Sequence, residues 1–265
     1  ITKDPVANTF KAGVKYGAVG IGVDGGGDAA SDMTADFNAS VVSEDHNSGI
    51  FIFGMNRERG DWDANKDGYS DMVKLKNISA GLRAYHHLSD LAKLTLEYHV
   101  VDEYRRGGDQ LNLKAHEATV AEEVSHRINS GSLAWDQYFN QDRISKLSVY
   151  ASGQSIDRDS YYGAATIYDE NGAKLSTPIP DYGAYGQTDD LAVSAGVQFF
   201  TKFDNLFFAP ADITLGLENV YNSLKDDKLG YYDFTNNIIR IFWSMAMDHH
   251  WLRYFNVNIT NNCFD

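Results

Sequence analysis

Apolar and polar residues alternate along this chain with a period of two, in one stretch after another. From Asp32 onward one parity reads Met33, Ala35, Phe37, Ala39, Val41, and the other reads Thr34, Asp36, Asn38, Ser40. From Lys93 the chain gives Leu94, Leu96, Tyr98, Val100 against Thr95, Glu97, His99. From Leu191 it gives Leu191, Val193, Ala195, Val197, Phe199 against Ala192, Ser194, Gly196, Gln198. Successive side chains of a strand point to opposite faces, so each stretch reads as a strand with one apolar and one polar face. Phe10–Ala18, Ile78–Ala84, Leu147–Ala151 and Ile213–Leu217 repeat the pattern, and Ile50–Met55, His126–Tyr138 and Ile238–Ala246 repeat it more weakly. About ten strands of roughly 8–12 residues are expected. The best helical stretch is Ala115–Val124, and it competes poorly.

The links between these stretches alternate in length. Short ones are Ser43–Gly49, Ser89–Ala92, Asn140–Arg143 and Thr201–Ala209. Long ones are Ile21–Ala30, Asn56–Asp71, Asp102–Glu123, Gln154–Thr188 and Tyr221–Asn237. An antiparallel up-and-down meander with one decorated end has this layout, as outer-membrane barrels do. A soluble sandwich or barrel with uneven loops shares the alternation, because one of its faces also packs away from water. The alternating link lengths favour the membrane barrel.

Composition closes off several function classes. The formal net charge of −14 repels nucleic acid phosphates, so strong non-specific nucleic acid binding is not expected. A single cysteine, Cys263, leaves no intramolecular disulfide framework and no cysteine-based zinc cluster. No stretch approaches the roughly 18 apolar residues of a membrane helix, but barrel strands are half polar and escape that criterion. The first residues, Ile1-Thr2-Lys3-Asp4-Pro5, show no signal-peptide layout and no initiator Met, which reads as a mature, trimmed or excised chain.

Most chemistry-bearing motifs dissolve on inspection. Gly20-Ile21-Gly22-Val23-Asp24-Gly25 matches a dinucleotide fingerprint, but more glycine and then a strand follow where a helix is needed, so it reads as a hairpin loop. His116-Glu117 lacks a second histidine, no G-x-S-x-G elbow is present, and paired acids are commonplace in so acidic a chain. His86-His87 and His249-His250 are neighbours on strands and point to opposite faces. No enzyme activity is expected. Asp63-Ala64-Asn65-Lys66-Asp67-Gly68-Tyr69-Ser70-Asp71 stands apart. Asp63, Asn65, Asp67 and Asp71 offer side-chain oxygens at positions 1, 3, 5 and 9 of a calcium loop, Tyr69 offers a carbonyl, and Gly68 permits the sharp turn. Position 12 is Lys74 rather than a bidentate acid, and a polar turn held by its own Asx hydrogen bonds fits the same residues.

Ile1–Pro5, Asp63–Asp71, Glu103–Gly108 and Tyr185–Phe199, in this order, together resemble segments of TonB-dependent outer-membrane receptors of the Bacteroidetes type. Ile1-Thr2-Lys3-Asp4-Pro5 looks like the segment that ends the plug domain before the first barrel strand. Glu103-Tyr104-Arg105-Arg106-Gly107-Gly108 resembles a motif at the extracellular end of an early barrel strand, and the Asp63–Asp71 loop is similar to the loop that precedes it. The stretch from Tyr185-Gly186-Gln187-Thr188 to Phe199 also fits, so the resemblance covers roughly residues 1–240. It implies active import of a scarce solute, such as a metal chelate, corrinoid or saccharide, with energy from the TonB complex acting through a plug that this sequence lacks.

On this reading the chain is all-β, an antiparallel up-and-down meander forming a partial transmembrane β-barrel in the cell outer membrane. Residues 1–8 end the plug or linker, 9–246 form a barrel segment of about ten strands, and 247–265 form an atypical C-terminal tail. The partners are outer-membrane lipid, a small-molecule ligand, the TonB complex and the remaining half of the barrel. Leu94, Leu96, Tyr98 and Val100 are expected to face lipid, and Thr95, Glu97 and His99 the lumen. Arg105 and Arg106 are candidates for ligand capture at the barrel mouth, although pairing with nearby carboxylates explains them more simply. Asp63, Asn65, Asp67, Tyr69 and Asp71 are the candidate Ca²⁺ ligands. The alternative is a soluble, secreted calcium-binding β-domain that binds carbohydrate, and a β-sandwich hydrolase is a weaker third reading.

Overall fold

A computed structural model describes residues 3–206, 209–227, 234–247 and 251–264, the last of these as backbone only. The expected plug-terminal residues Ile1 and Thr2 and the His249-His250 pair lie outside the described residues. Thirteen strands follow one another: β1 (Thr9–Val19), β2 (Ala30–Val42), β3 (Ser48–Arg59), β4 (Lys74–Ser89), β5 (Ala92–Gly108), β6 (Ala121–Tyr138), β7 (Ser145–Gly163), β8 (Thr166–Tyr168), β9 (Lys174–Ile179), β10 (Tyr185–Leu206), β11 (Ala209–Asp226), β12 (Phe234–Met247) and β13 (Trp251–Phe264). Eleven of them form a single sheet in the order β1-β2-β3-β4-β5-β6-β7-β10-β11-β12-β13, every neighbouring pair antiparallel. The β8–β9 hairpin is set into the β7–β10 link as a separate two-stranded ribbon. The sheet is open, with β1 and β13 at its edges.

The up-and-down meander expected from the alternation is therefore the architecture, and the links keep their expected rhythm. Short connections at residues 43–47, 90–91 and 139–144 lie on one edge of the sheet, and long connections at 20–29, 60–73, 109–120 and 164–184 lie on the other. The glycine-rich stretch Gly20–Gly25 is the β1–β2 loop, with Gly20, Gly22 and Gly25 at positive φ.

Three expectations need correction. The eleven strands of the main sheet run from 11 to 22 residues, most of them beyond 8–12, because toward the long-link edge the backbone ladder continues where the alternation of side chains stops. The helix candidate Ala115–Val124 is a single 3₁₀ turn, Ala115–Glu117, followed by the start of β6 at Ala121, since the β5 partner ladder claims the rest of its backbone. The expected atypical tail contains β13, paired in register with β12 along its whole length.

Register places like with like. One row across five strands reads Phe10, Ala39, Ile52, Leu82, Tyr98, and another across six reads Leu94, Trp135, Val149, Val197, Leu217, Ile241. Because side chains alternate with period two, this register gathers every apolar parity on one face of the sheet. The conventional core is small and sits at the long-link edge, where Ala115, Ala118, Ala121, Tyr161 and Ala184 close on one another.

Candidate functional site

The two faces of the sheet differ sharply in chemistry. On the apolar face, Leu96 keeps 46 % of its surface exposed and Leu133 47 %, and Val14, Phe37, Ile78, Leu215 and Ile241 are likewise exposed. No second layer covers this face among the described residues, since the other sheet is the short β8–β9 ribbon. The band ends toward the long links at a row of charges on the same face, Asp102, Arg127, Asp157 and Asp189, with Arg127 bonded to Asp102 at 3.2 Å. In β10 the band runs from Leu191 to Phe199. Nine residues rising about 3.3 Å each, tilted by about 40°, stand about 23 Å tall, close to the ~25 Å apolar belt of a membrane barrel.

The opposite face carries paired charges and hydroxyls. Arg57 meets Asp32 at 2.7 Å, Lys146 meets Asp136 at 3.3 Å, and Arg240 meets Glu218 at 3.5 Å. Glu218 also accepts hydrogen bonds from Tyr150 and Ser194, each at 3.1 Å. A groove of about 570 Å³ crosses this face, lined by Glu97, His99, Ser130, Ser132, Ser152 and Ser194, with Gly131 and Gly153 among its lining residues. Its lining mixes hydroxyls, the Gln154 amide, one carboxylate and one imidazole with Val101, Ala192 and Val220, and holds no lysine or arginine. Thr95, Glu97 and His99 stand on this side and Leu94, Leu96, Tyr98 and Val100 on the apolar side, the division expected from alternation.

Ahead of β1 the chain lies over the polar face at the short-link edge. Asp4 reaches Arg83 of β4 at 2.9 Å and Lys93 of β5 at 2.8 Å, and Arg83 also holds Glu97. Burial would raise the Asp4 carboxyl, but the hydrogen bonds from Lys93 and Arg83 outweigh it and hold the group below its ordinary value of 3.8. Sequence reading missed this network, because its members lie 79 and 89 residues apart. The only local signal was that Arg83, Lys93 and Glu97 fall on the polar parity of their strands.

The Glu103–Gly108 motif ends β5, and alternation sends its two arginines to opposite faces. Arg105 is half exposed on the polar face and pairs with Glu103 at 2.6 Å. Arg106 is 2 % exposed on the other face, under the loops. Its Nη1 donates to the Gly107 carbonyl, its Nε lies 3.8 Å from Glu123, and its Nη2 has no partner among the described residues. Tyr104 donates to the same Glu123 carboxylate at 2.8 Å, and burial together with that carboxylate pushes its hydroxyl up to about 12. Tyr161, fully buried, packs against Tyr185, which shares a 2.8 Å hydrogen bond with His116. His116 in turn lies against Tyr182, with ring centres 4.5 Å apart, and its carbonyl accepts the Asp181 N–H at 3.3 Å. The 109–120 and 164–184 links are thereby sewn together over the ends of β5, β6 and β7.

The Asp63–Asp71 loop closes on itself. Asp63 accepts the N–H groups of Asn65, Lys66 and Gly68 at 3.1, 2.7 and 2.8 Å; desolvation would raise its carboxyl, but these backbone hydrogen bonds together outweigh it and hold the group below the ordinary range. Asp67 accepts from Tyr69 N–H at 2.9 Å and from the Asn65 side chain at 3.0 Å, and Asp71 accepts from Ala64 N–H at 2.6 Å. Lys66 and Gly68 adopt positive φ, as the tight turn requires. Among the described residues no three His, Cys, Asp or Glu side chains converge as a metal centre would. The loop also docks on the β1–β2 loop, where Gly27 N–H donates to the Asp63 carbonyl at 2.7 Å and the Trp62 ring lies so close over Gly20 that a β-carbon there would sit 2.1 Å from it. Neither contact has a signal in the sequence.

Comparison with known proteins finds no protein family and no curated protein that matches this chain.

Proposed function

We propose that the chain is part of the wall of an outer-membrane transport receptor, resembling the TonB-dependent receptors, that takes up a scarce solute such as a metal chelate, corrinoid or saccharide. One observation carries the reading: an apolar face running across the sheet, uncovered and about as tall as the hydrocarbon belt of a membrane. The exposed surface of the chain is 16,832 Å², whereas a soluble folded monomer of 29.5 kDa exposes about 11,500 Å². Lipid is the solvent that makes such a face stable. The polar face then turns toward a lumen, the short links toward the periplasm and the long links toward the outside. In this arrangement Arg105 stands at the mouth, where an anionic ligand can reach it, whereas Arg106 is buried beside Glu123 of β6. The Asp63–Asp71 loop lies on the outside, where bulk calcium is available to Asp63, Asn65, Asp67, Asp71 and the Tyr69 carbonyl. The soluble, carbohydrate-binding alternative needs a second layer over the apolar face, and nothing among the described residues supplies one. Expression in a Gram-negative host followed by fractionation tests the reading. Recovery in the outer-membrane fraction, with release only by detergent, is expected. A monodisperse monomer in detergent-free buffer would overturn it.

A further inference from the structure

Residues 3–8 are held to the sheet in an unusual way. Val6 is 79 % exposed, so the apolar seating of the segment is confined to Pro5. At its far end Asp4 bridges Arg83 and Lys93. At its near end the Ala7 carbonyl accepts the Ser40 hydroxyl at 2.6 Å and the Asn8 side chain accepts Val42 N–H at 2.7 Å. Between them Pro5 rests in a slot opened by Gly49, where a β-carbon would come within 3.1 Å of the proline ring.

The ion pairing also survives the loss of one partner. Arg83 has two carboxylates in reach, Asp4 from the segment and Glu97 from β5. With the segment in place, two cations face two anions. With Asp4 gone, Arg83 keeps Glu97 and only Lys93, already partly exposed, is left to water. Arg83 and Glu97 thus remain paired in both states, and a part-exposed ionic contact backed by a single proline belongs to the low-stability end of a structure. We propose that residues 3–8 form a releasable strap on the polar face, locked by Asp4 and hinged at Ala7–Asn8, with Arg83 kept by Glu97 when it opens. The inference stands on these contacts and does not depend on the membrane reading.

Distance measurement by pulsed electron paramagnetic resonance on the full chain tests it. Nitroxide labels at Val6→Cys and Leu88→Cys, both exposed positions, in a Cys263→Ser background report the strap against the short-link edge. In otherwise unaltered protein at low salt a single narrow distance is expected. Asp4→Asn should at least double the width of the distribution, and 1 M NaCl should broaden it without any substitution, because the screening length falls to about 3 Å. Glu97→Gln should leave the distance narrow, since Arg83 is then committed to Asp4. A distribution that stays narrow in both Asp4→Asn and 1 M salt overturns the strap. Broadening by Glu97→Gln equal to that by Asp4→Asn overturns the assignment of the lock to Asp4. Should Asp4→Asn fail to fold, the salt series decides the matter alone.

Discussion

Asp45 is fully exposed, and still its carboxyl is held at about 2 rather than its ordinary 3.8. The Ser43 hydroxyl, the Asn47 N–H and the Asn47 side-chain amide all donate to it, at 2.6, 3.0 and 2.8 Å. A carboxyl depressed on folding contributes to stability above its unfolded value and loses that contribution as pH falls through the folded one. The β2–β3 turn should therefore hold unchanged down to pH 4 and loosen toward pH 2. A carbon-13 NMR titration of Asp45 should show a midpoint near 2, moving toward 3.8 in Ser43→Ala. An ordinary midpoint in the unaltered protein would contradict this. The paired arginines make a second contrast. Truncating Arg106 removes a buried side chain from beside Glu123, and loss of so buried a side chain costs about 2–5 kcal/mol. Truncating the half-exposed Arg105 removes a surface pair worth at most about 1 kcal/mol. Denaturant unfolding of Arg106→Ala and Arg105→Ala should separate them clearly, with Arg106→Met recovering part of the loss. Equal costs would sink the structural role assigned to Arg106. Calcium at Asp63–Asp71 is the third residue-scale expectation. Without a bidentate acid at Lys74, binding should fall near 10⁻⁴–10⁻³ M, about the range of extracellular sites. Calorimetry at millimolar calcium should register heat that Asp67→Ala abolishes. No heat would leave the loop as the hydrogen-bonded turn that Asp63 already organises.

Among the elements, β5 carries the argument about facing most directly. Leu96 and Glu97 are adjacent, flanked on both sides by paired strands, and forced to opposite faces by the pleat. Glu97 also lies within the Arg83 ion pairing, which fixes the polar face independently of hydropathy. Spin or fluorescent labels at the two positions, in protein returned to bilayers, should divide cleanly. The label at Leu96 should be quenched by a lipid-soluble agent and the label at Glu97 by a water-soluble one. The reverse would invert the whole sheet, because a single register connects all eleven strands. Above the band, β5 continues to Gly108, which lies at φ 98° with the Val120 carbonyl 2.1 Å from where a β-carbon would stand. Only glycine allows the long link to close there.

At the scale of the whole molecule, stability comes from ladders between neighbours rather than from one enclosed core. Each strand pairs with the next in sequence, apart from the step over the β8–β9 hairpin. The edges β1 and β13 present unpaired backbone groups, which invite pairing with further strands. The apolar face and these edges together predict an obligate amphiphile. Sedimentation with refractive-index detection should find a bound detergent belt that cannot be removed without aggregation. A bound-detergent mass of zero would remove the physical reason for placing this chain in a membrane.

What the sequence determined alone was local and periodic. Alternation at Met33–Val41, Leu94–Val100 and Leu191–Phe199 assigns strand and facing at once, because the pleat has a period of two whatever the strand's partner. The alternating link lengths then order the strands into a meander. The strand Trp251–Phe264 was missed: Phe255, Val257 and Ile259 alternate with Asn256, Asn258 and Thr260, but the polar residues around them mask the signal. The true length of the strands was not legible. Beyond Asp102, Arg127, Asp157 and Asp189 the alternation lapses, and only backbone pairing with a neighbour says that the strand goes on. The tertiary structure alone decided which charges meet. Asp4 finds Arg83 and Lys93, Arg106 disappears beneath two loops, and the glycine-rich loop seats the Asp63–Asp71 turn. These contacts join residues tens of positions apart, and their partners are selected by register and strand order, which no single stretch of chain contains.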